Sequence, residues 1–278
     1  MKKHMVLTLV AVFGFLSVMV LVPISQTAQA QGKLAAPMIF QAAGPTAESI
    51  EGTVEAYRTA LGEPNNANAP GPLAEGRREI NWDGGGSDAT TQPITPFDVF
   101  LNRGAQFTTL GVGLSQAPPS GGPQGGLETL FGNATYGEIF STFSAPRLFT
   151  PVGSNLTEAR FFIPGSGTSS PATVRGFGAI FTDVDESNGI GPRLRRANPR
   201  GDSTLMEYFD RDGRLIFSSF VPASPGDASL SFFGVLFDEA VIARVRITTG
   251  NAAPGPDDDN ENDIVMMDDF FYSEPQPH

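Results

Sequence analysis

Two adjacent carboxylates, Asp268 and Asp269, stand in the apolar centre of the run Asp263-Ile-Val-Met-Met-Asp-Asp-Phe-Phe-Tyr272. Side chains of a strand alternate between faces. That alternation puts Ile264, Met266, Phe270 and Tyr272 on one face with Asp268, and Val265, Met267 and Phe271 on the other with Asp269. An ionised carboxylate among such neighbours is costly unless a cation or hydrogen bonds compensate it. The segment is therefore the first place to look for a site.

The chemistry open to these carboxylates is narrowed by what the chain lacks. It has no cysteine and two histidines, His4 near the start and His278 at the end. Ser-His-Asp or Cys-His catalysis and His-ligated zinc need residues that the interior of this sequence does not supply. Carboxylate-only catalysis and non-catalytic binding remain. Asp183/Asp185 and Asp210/Asp212 could in principle form the acid and nucleophile of a glycosidase, but an Asp-x-Asp beside a turn has a structural use as well. A glycosidase or lyase is accordingly the weakest reading, and the chain is expected not to be an enzyme.

Several carboxylates with backbone carbonyls suit Ca²⁺, an oxygen-seeking cation. The expected structural calcium site draws on Asp83, Asp183, Asp185, Asp268 and Asp269. Asp183 continues the face of Phe177, Ala179 and Phe181 at the end of its strand. The acidic run from Asp257 to Asp263 matches part of an EF-hand spacing, yet Asn262 stands where the turn glycine belongs. It reads as a solvated acidic loop.

The elements that must position these groups are mostly strands. Lys2, Lys3, the apolar run Met5–Val22 and Ala28-Gln-Ala30 have the anatomy of an export signal over residues 1–30. Residues 31–75 read as a leader, a helix and a linker. The helix spans 46–61, with Ile50, Val54, Tyr57 and Leu61 in one stripe, and Gly62 and Pro64 stop it. Residues 76–278 read as a β-domain. Leu205–Phe209 and Leu215–Val221 flank the turn Asp210-Arg-Asp-Gly213, a hairpin signal. Ser229–Phe237 and Val241–Thr248 are expected to form a second hairpin, with Ala243, Val245 and Ile247 inward and Arg244 and Arg246 outward. Short strands with Gly- and Pro-rich turns point to an all-β antiparallel sandwich.

Four segments together carry a resemblance: Arg78-Glu-Ile-Asn-Trp-Asp83, Gly176-Phe-Gly-Ala-Ile-Phe-Thr-Asp-Val-Asp185, Glu207-Tyr-Phe-Asp210 and Val265-Met-Met-Asp-Asp-Phe270. The chain resembles a group of uncharacterised exported bacterial proteins, some with a C-terminal sorting helix. Their β-domains are similar to the jelly-roll sandwiches of carbohydrate-binding modules and galactose-binding-like domains. The resemblance implies a jelly-roll-like fold in which the strands of Trp82 and Asp268 pair, bringing Asp83 near Asp268 or Asp269. This sequence departs from the group by ending in Ser273-Glu-Pro-Gln-Pro-His278, without the sorting helix.

Charge and aromatics bound the partners. Without Lys2 and Lys3, 16 basic residues face 30 acidic ones, a net charge of −14. Such a surface repels nucleic acid and anionic membranes. Trp82, the only tryptophan, could stack on a sugar, but 22 phenylalanines against one Trp and four Tyr point to core packing. Arg200-Gly-Asp202 and the arginines around it read as an exposed loop. The expectation is a monomer, secreted to the extracellular space or periplasm, without a membrane span after signal cleavage. Its expected partner is an extracellular glycan, the alternative being a surface protein bound by a structural or adhesive chain.

Overall fold

A computed structural model describes residues 34–84, 94–122, 124–185, 204–256 and 262–278. The export signal, the Arg200-Gly-Asp202 loop and Asp257–Glu261 of the acidic run lie outside the described residues. Leu34–His278 gather into one compact unit.

Numbered along the chain, seven strands build the larger sheet: β1 (Met38–Gly44), β2 (Arg77–Ile80), β4 (Gly113–Ala117), β5 (Leu148–Val152), β8 (Gly176–Thr182), β11 (Leu230–Leu236) and β13 (Met266–Ser273). Five build the second: β3 (Ala105–Thr109), β6 (Leu156–Phe161), β9 (Leu205–Phe209), β10 (Leu215–Phe220) and β12 (Arg244–Thr248). A short pair, β7 (Ala172–Thr173) and β14 (Gln276–Pro277), closes the chain end. The larger sheet runs β1-β11-β8-β13-β5-β4, with β2 added alongside β13; the smaller runs β10-β9-β12-β6-β3. The named strand pairs are antiparallel, and the fold is an all-β sandwich.

The core lies between the two sheets. Phe177, Phe233, Val235, Met267 and Phe270 of the larger sheet meet Phe107, Ala159, Tyr208, Val245 and Ile247 of the smaller. With no disulfide available, this burial carries the stability, each filled apolar position contributing about 1.5–3 kcal/mol.

The outer face of the larger sheet is covered twice. Helix α1 (Ala47–Leu61) lays Ile50, Val54, Tyr57 and Leu61 over Ile180, Phe232, Leu236 and Phe271. Gly178 and Gly234 are cross-strand partners in β8 and β11, and a Cβ on either would come within 2.9 Å of the Tyr57 ring. The paired glycines thus form the slot that admits Tyr57, whose hydroxyl donates to the Val235 carbonyl at 2.8 Å. Two short helices, α2 (Leu127–Phe131) and α3 (Tyr136–Ile139), cover Leu148, Ile264 and Met266 further along.

Several sequence expectations need correction. Met38–Gly44, read as leader, is the edge strand β1 on β11, so α1 belongs to the sandwich and not to a separate leader. Phe97–Leu101, whose residue pattern predicts a strand, is a single bridge, Phe97 to Phe107, followed by a 3-10 turn. The expected second hairpin does not form: β11 pairs with β1 and β8, whereas β12 pairs with β6 and β9 in the other sheet. The link Asp238-Glu-Ala240 therefore crosses between sheets. Both strands needed their own buried face, and a crossing satisfies that as well as a turn does.

Candidate functional site

Asp268 and Asp269 sit at a break in the ladder. On one side of β13, Met267 pairs with Phe181 and Phe270 with Ala179 of β8, so three steps on β13 face two on β8. This is a β-bulge, an extra residue that turns the strand. On the other side the neighbour changes at the same point, from Phe149 of β5 at Met267 to Ile80 of β2 at Phe270. The bulge corrects the simple alternation. Val265, Met267, Phe270 and Tyr272 face the sandwich core, while Ile264, Met266 and Phe271 face the covering helices. The face changes parity across Asp268–Asp269.

The chain around the gap supplies the missing hydrogen bonds. The Trp82 indole N–H donates to the Asp268 carbonyl at 2.8 Å, replacing a ladder bond. Asp268 Oδ2 accepts the backbone N–H of Phe143 at 2.6 Å and of Ser144 at 3.3 Å. The Ser144 hydroxyl lies 2.6 Å from Asp269 Oδ1 and 3.2 Å from Asp83 Oδ2. Asp83 Oδ1 accepts the Arg147 N–H at 3.0 Å, and the Arg147 guanidinium donates to the Gly84 carbonyl at 3.0 Å. From α1, Arg58 Nη2 stands 3.8 Å from Asp269 Oδ2 and 3.2 Å from Glu79 Oε2. Its guanidinium also lies 4.7 Å from the centroid of the Phe271 ring. Asp268 is fully buried and Asp269 nearly so.

Of the five expected carboxylates, Asp83, Asp268 and Asp269 come together on the Ser144 loop. Asp183 and Asp185 do not join them. Asp183 lies one residue past Thr182, which pairs with Met266, whereas the bulge faces Ile180; that is about 10 Å along the strand. Asp183 takes a left-handed backbone with φ 69°, and its N–H donates to the Ser229 carbonyl. Asp185 accepts the Gly226 N–H at 3.3 Å. Among the described residues, no group of three or more His, Cys, Asp or Glu side chains is arranged to hold a metal ion. Trp82 is fully buried, stacked on Phe149 at 3.7 Å with an interplanar angle of 5°. It offers no open ring to a sugar, because its position at the sheet gap draws it into the core. Asp210 is a turn residue, its Oδ1 accepting the N–H of Asp212 and of Arg214, both at 2.9 Å.

The electrostatics follow from burial. Desolvation first, and then the charge of Asp269, hold the Asp268 carboxyl well above the usual carboxylate range. Burial lifts Asp269 to about 6, opposed by the Ser144 hydroxyl, the hydrogen bond to Asp268 and the Arg58 charge. Burial also raises Asp83, against the bonds from Arg147 and Ser144. Asp268 Oδ1 is buried with no acceptor bond, and Oδ2 already takes two N–H groups. A proton on Oδ1 satisfies that atom and lets Asp268 donate to Asp269. Such a shared proton is the usual solution for two carboxyls forced together.

A stability–pH profile follows. A carboxyl whose folded pKa exceeds its unfolded value near 3.9 binds its proton more tightly when folded. The contribution of Asp269 is complete below about pH 4 and is lost as pH rises through about 6, and that of Asp268, whose carboxyl holds its proton more tightly, is lost at higher pH still. Glu158 works in reverse. Despite burial, Arg246, Arg244 and Arg160 hold it low, so its contribution is lost on acidification. Stability should therefore peak in mildly acidic solution and fall by about 2 kcal/mol towards pH 8. Asp268→Asn, which keeps the shape without the second charge, should flatten the alkaline limb in urea titrations. An unchanged slope in that variant would refute the shared proton.

Arg58, Ser144 and Arg147 were invisible in the sequence reading. Ser144 and Arg147 lie in an irregular loop before β5, with no periodicity to mark them, and Arg58 merely follows the buried Tyr57 on α1.

The fold and the carboxyl cluster define an antiparallel all-β sandwich, helix-capped on one face, with a buried acidic knot at a strand junction. No family model, curated protein or solved structure matches the chain.

Proposed function

We propose that this chain is an exported, non-enzymatic protein that binds extracellular carbohydrate on the outer face of its five-stranded sheet. The observation that carries the reading is the asymmetry of the sandwich. Helices cover the outer face of the larger sheet, while that of the smaller carries rows of polar groups: half-buried Glu207, Arg246 and Thr108 around the buried Glu158 across β9, β12, β6 and β3, beside half-buried Arg244, exposed Arg160 and buried Gln106. Planar donors and acceptors fixed on adjacent strands match the hydroxyl-rich edge of a sugar chain, and a rigid sheet holds them without ordering cost. The sequence resemblance to exported sandwiches of the carbohydrate-binding type supports the same assignment. A glycan array probed with the purified protein tests it: the expected result is retention on a restricted set of polysaccharides, with none hydrolysed. Uniform absence of binding overturns the reading.

A surface protein as partner is the second reading. Its support is the free edge of β1, where Met38 and Ile39 are about half exposed and could pair with an added strand.

A structural calcium belongs to the proposal. Asp268 Oδ1, buried and accepting no hydrogen bond, favours it, and Asp83 and Asp269 supply further ligands. Calcium takes roughly six to eight oxygens, so it would displace the Ser144 hydroxyl and the shared proton. Its stabilisation should then grow with pH. Melting in calcium and in EDTA at pH 8 should differ by several degrees; equal melting temperatures leave the proton as the sole neutralising partner.

A further inference from the structure

We infer that the outer face of the five-stranded sheet selects carbohydrate bearing carboxylates, such as a uronate polymer. The inference rests on the carbohydrate-binding reading above and names the substrate class of that face. Three guanidinia converge there from two strands. Arg244 Nη1 reaches Glu158 Oε1 at 2.5 Å, and Arg246 reaches the same oxygen through Nε at 2.9 Å and Nη2 at 2.8 Å. Arg160 Nη2 stands 3.6 Å from Glu158 Oε2, outside hydrogen-bond range, with its side chain about half exposed. Arg246 Nη1 stands 4.0 Å from Glu207 Oε2.

Charge and geometry give the face its preference. Three arginines match Glu158, Glu207 and the Asp98 carboxylate that Gln106 holds at the edge, so the face lacks the excess of acid that gives the chain its net charge of −12. Glu158 Oε1 is occupied by Arg244 and Arg246, so it holds their forks in place; Arg160 keeps its donors for a ligand. A guanidinium fork pairs with a carboxylate through two parallel bonds, which a neutral hydroxyl cannot match.

A polysaccharide fits better than a protein. Protein interfaces centre on buried apolar or aromatic anchors, whereas the ring among these arginines, Phe209, lies beneath Arg244 at 4.0 Å and Arg246 at 5.5 Å and is itself buried. Leu215 and Phe220, apolar side chains in register with this face, lie apart on the edge strand β10. Five strands spaced about 4.8 Å apart offer a track of about 19 Å, suited to an extended chain laid across them.

The test is calorimetry of the purified protein with polygalacturonate and with its methyl ester, which has the same backbone with the charge removed. The acid form should bind at least about tenfold more tightly, and the preference should shrink with salt. Arg160→Ala, at an exposed position with no hydrogen bond to lose, should keep the melting curve and weaken the acid form by about tenfold. Arg160→Lys, with charge but no fork, should fall between. Equal affinity for acid and ester would overturn acid selectivity while leaving carbohydrate binding intact. Binding to neither, together with a blank glycan array, would sink the carbohydrate reading itself. Unaltered binding by Arg160→Ala would place the ligand elsewhere. Polyglutamate bound as tightly as polygalacturonate would replace the polysaccharide with an acidic polypeptide.

Discussion

Replacing Trp82 with alanine should lower the unfolding free energy by about 4–5 kcal/mol, among the largest effects of a core truncation. The indole is stacked on Phe149 and meets Phe100, Phe107 and Phe270 edge-on at 5.0 to 5.3 Å. Truncation leaves a cavity walled by rings that cannot collapse into it without leaving both sheets. It also removes the N–H that satisfies the Asp268 carbonyl, and an unsatisfied buried carbonyl adds about 1–3 kcal/mol. Trp82→Phe separates the two contributions: it keeps an aromatic ring and loses the donor, so it should cost less than half as much. Urea unfolding followed by circular dichroism is the right measurement, because Trp82 is the only tryptophan and its fluorescence vanishes with it. A cost below about 2 kcal/mol for the alanine variant would mean that the ring cluster is not the centre of the core.

Which parts of the fold were legible depends on whether local pattern and tertiary partner agree. The stripe Ile50, Val54, Tyr57 and Leu61 is buried as its spacing requires. The turn Asp210–Gly213 joins two paired strands because the turn chemistry and both flanking patterns point the same way. By contrast, β1 has the sequence Met-Ile-Phe-Gln-Ala-Ala-Gly, without clean alternation between Pro37 and Gly44-Pro45. It becomes a strand because β11 offers an edge. The β11–β12 link looked like a turn, since nothing in three residues distinguishes a hairpin from a crossing between sheets.

The site was half legible, and for a definite reason. Adjacent aspartates in an apolar run are conspicuous because burial of charge is costly. Their geometry was not readable, since alternation assumes an unbroken ladder and the bulge depends on β2 and β5 both ending opposite the same two residues. The pairing of the Trp82 and Asp268 strands, by contrast, followed from the resemblance, and β2 does lie on β13. The loop that delivers Ser144 and Arg147 has no period for a reader to detect. Polar networks of this kind become visible only once partners distant in sequence are juxtaposed, as Asp83 and Ser144 are across 61 positions.

Breaking the ion pair between Arg78 and Glu274 from one side should cost about 3–5 kcal/mol. Arg78 Nε and Nη2 meet Glu274 Oε2 and Oε1 at 2.7 and 2.8 Å, and both side chains are buried. Arg78 Nη1 donates to the carbonyls of Ala67 and Ala69, and Glu274 accepts from Asn66 and from the Leu73 N–H. The pair therefore gathers the Pro- and Asn-rich segment before β2 and fastens it to the chain end beyond β13. Arg78→Met leaves an uncompensated carboxylate inside the protein; Glu274→Gln leaves an uncompensated guanidinium with its carbonyl partners still in place. The double variant removes both charges and should lose clearly less than the sum of the single losses, by about 2 kcal/mol or more in a double-mutant cycle. Additive losses would mean that each residue acts through its backbone partners alone. Because Arg78 also lies opposite Tyr272 in the β2–β13 register, either single change should loosen β2. Loosening β2 frees Trp82 and Asp83 from the bulge, so the alkaline limb of the pH profile should flatten in these variants although neither residue touches Asp268.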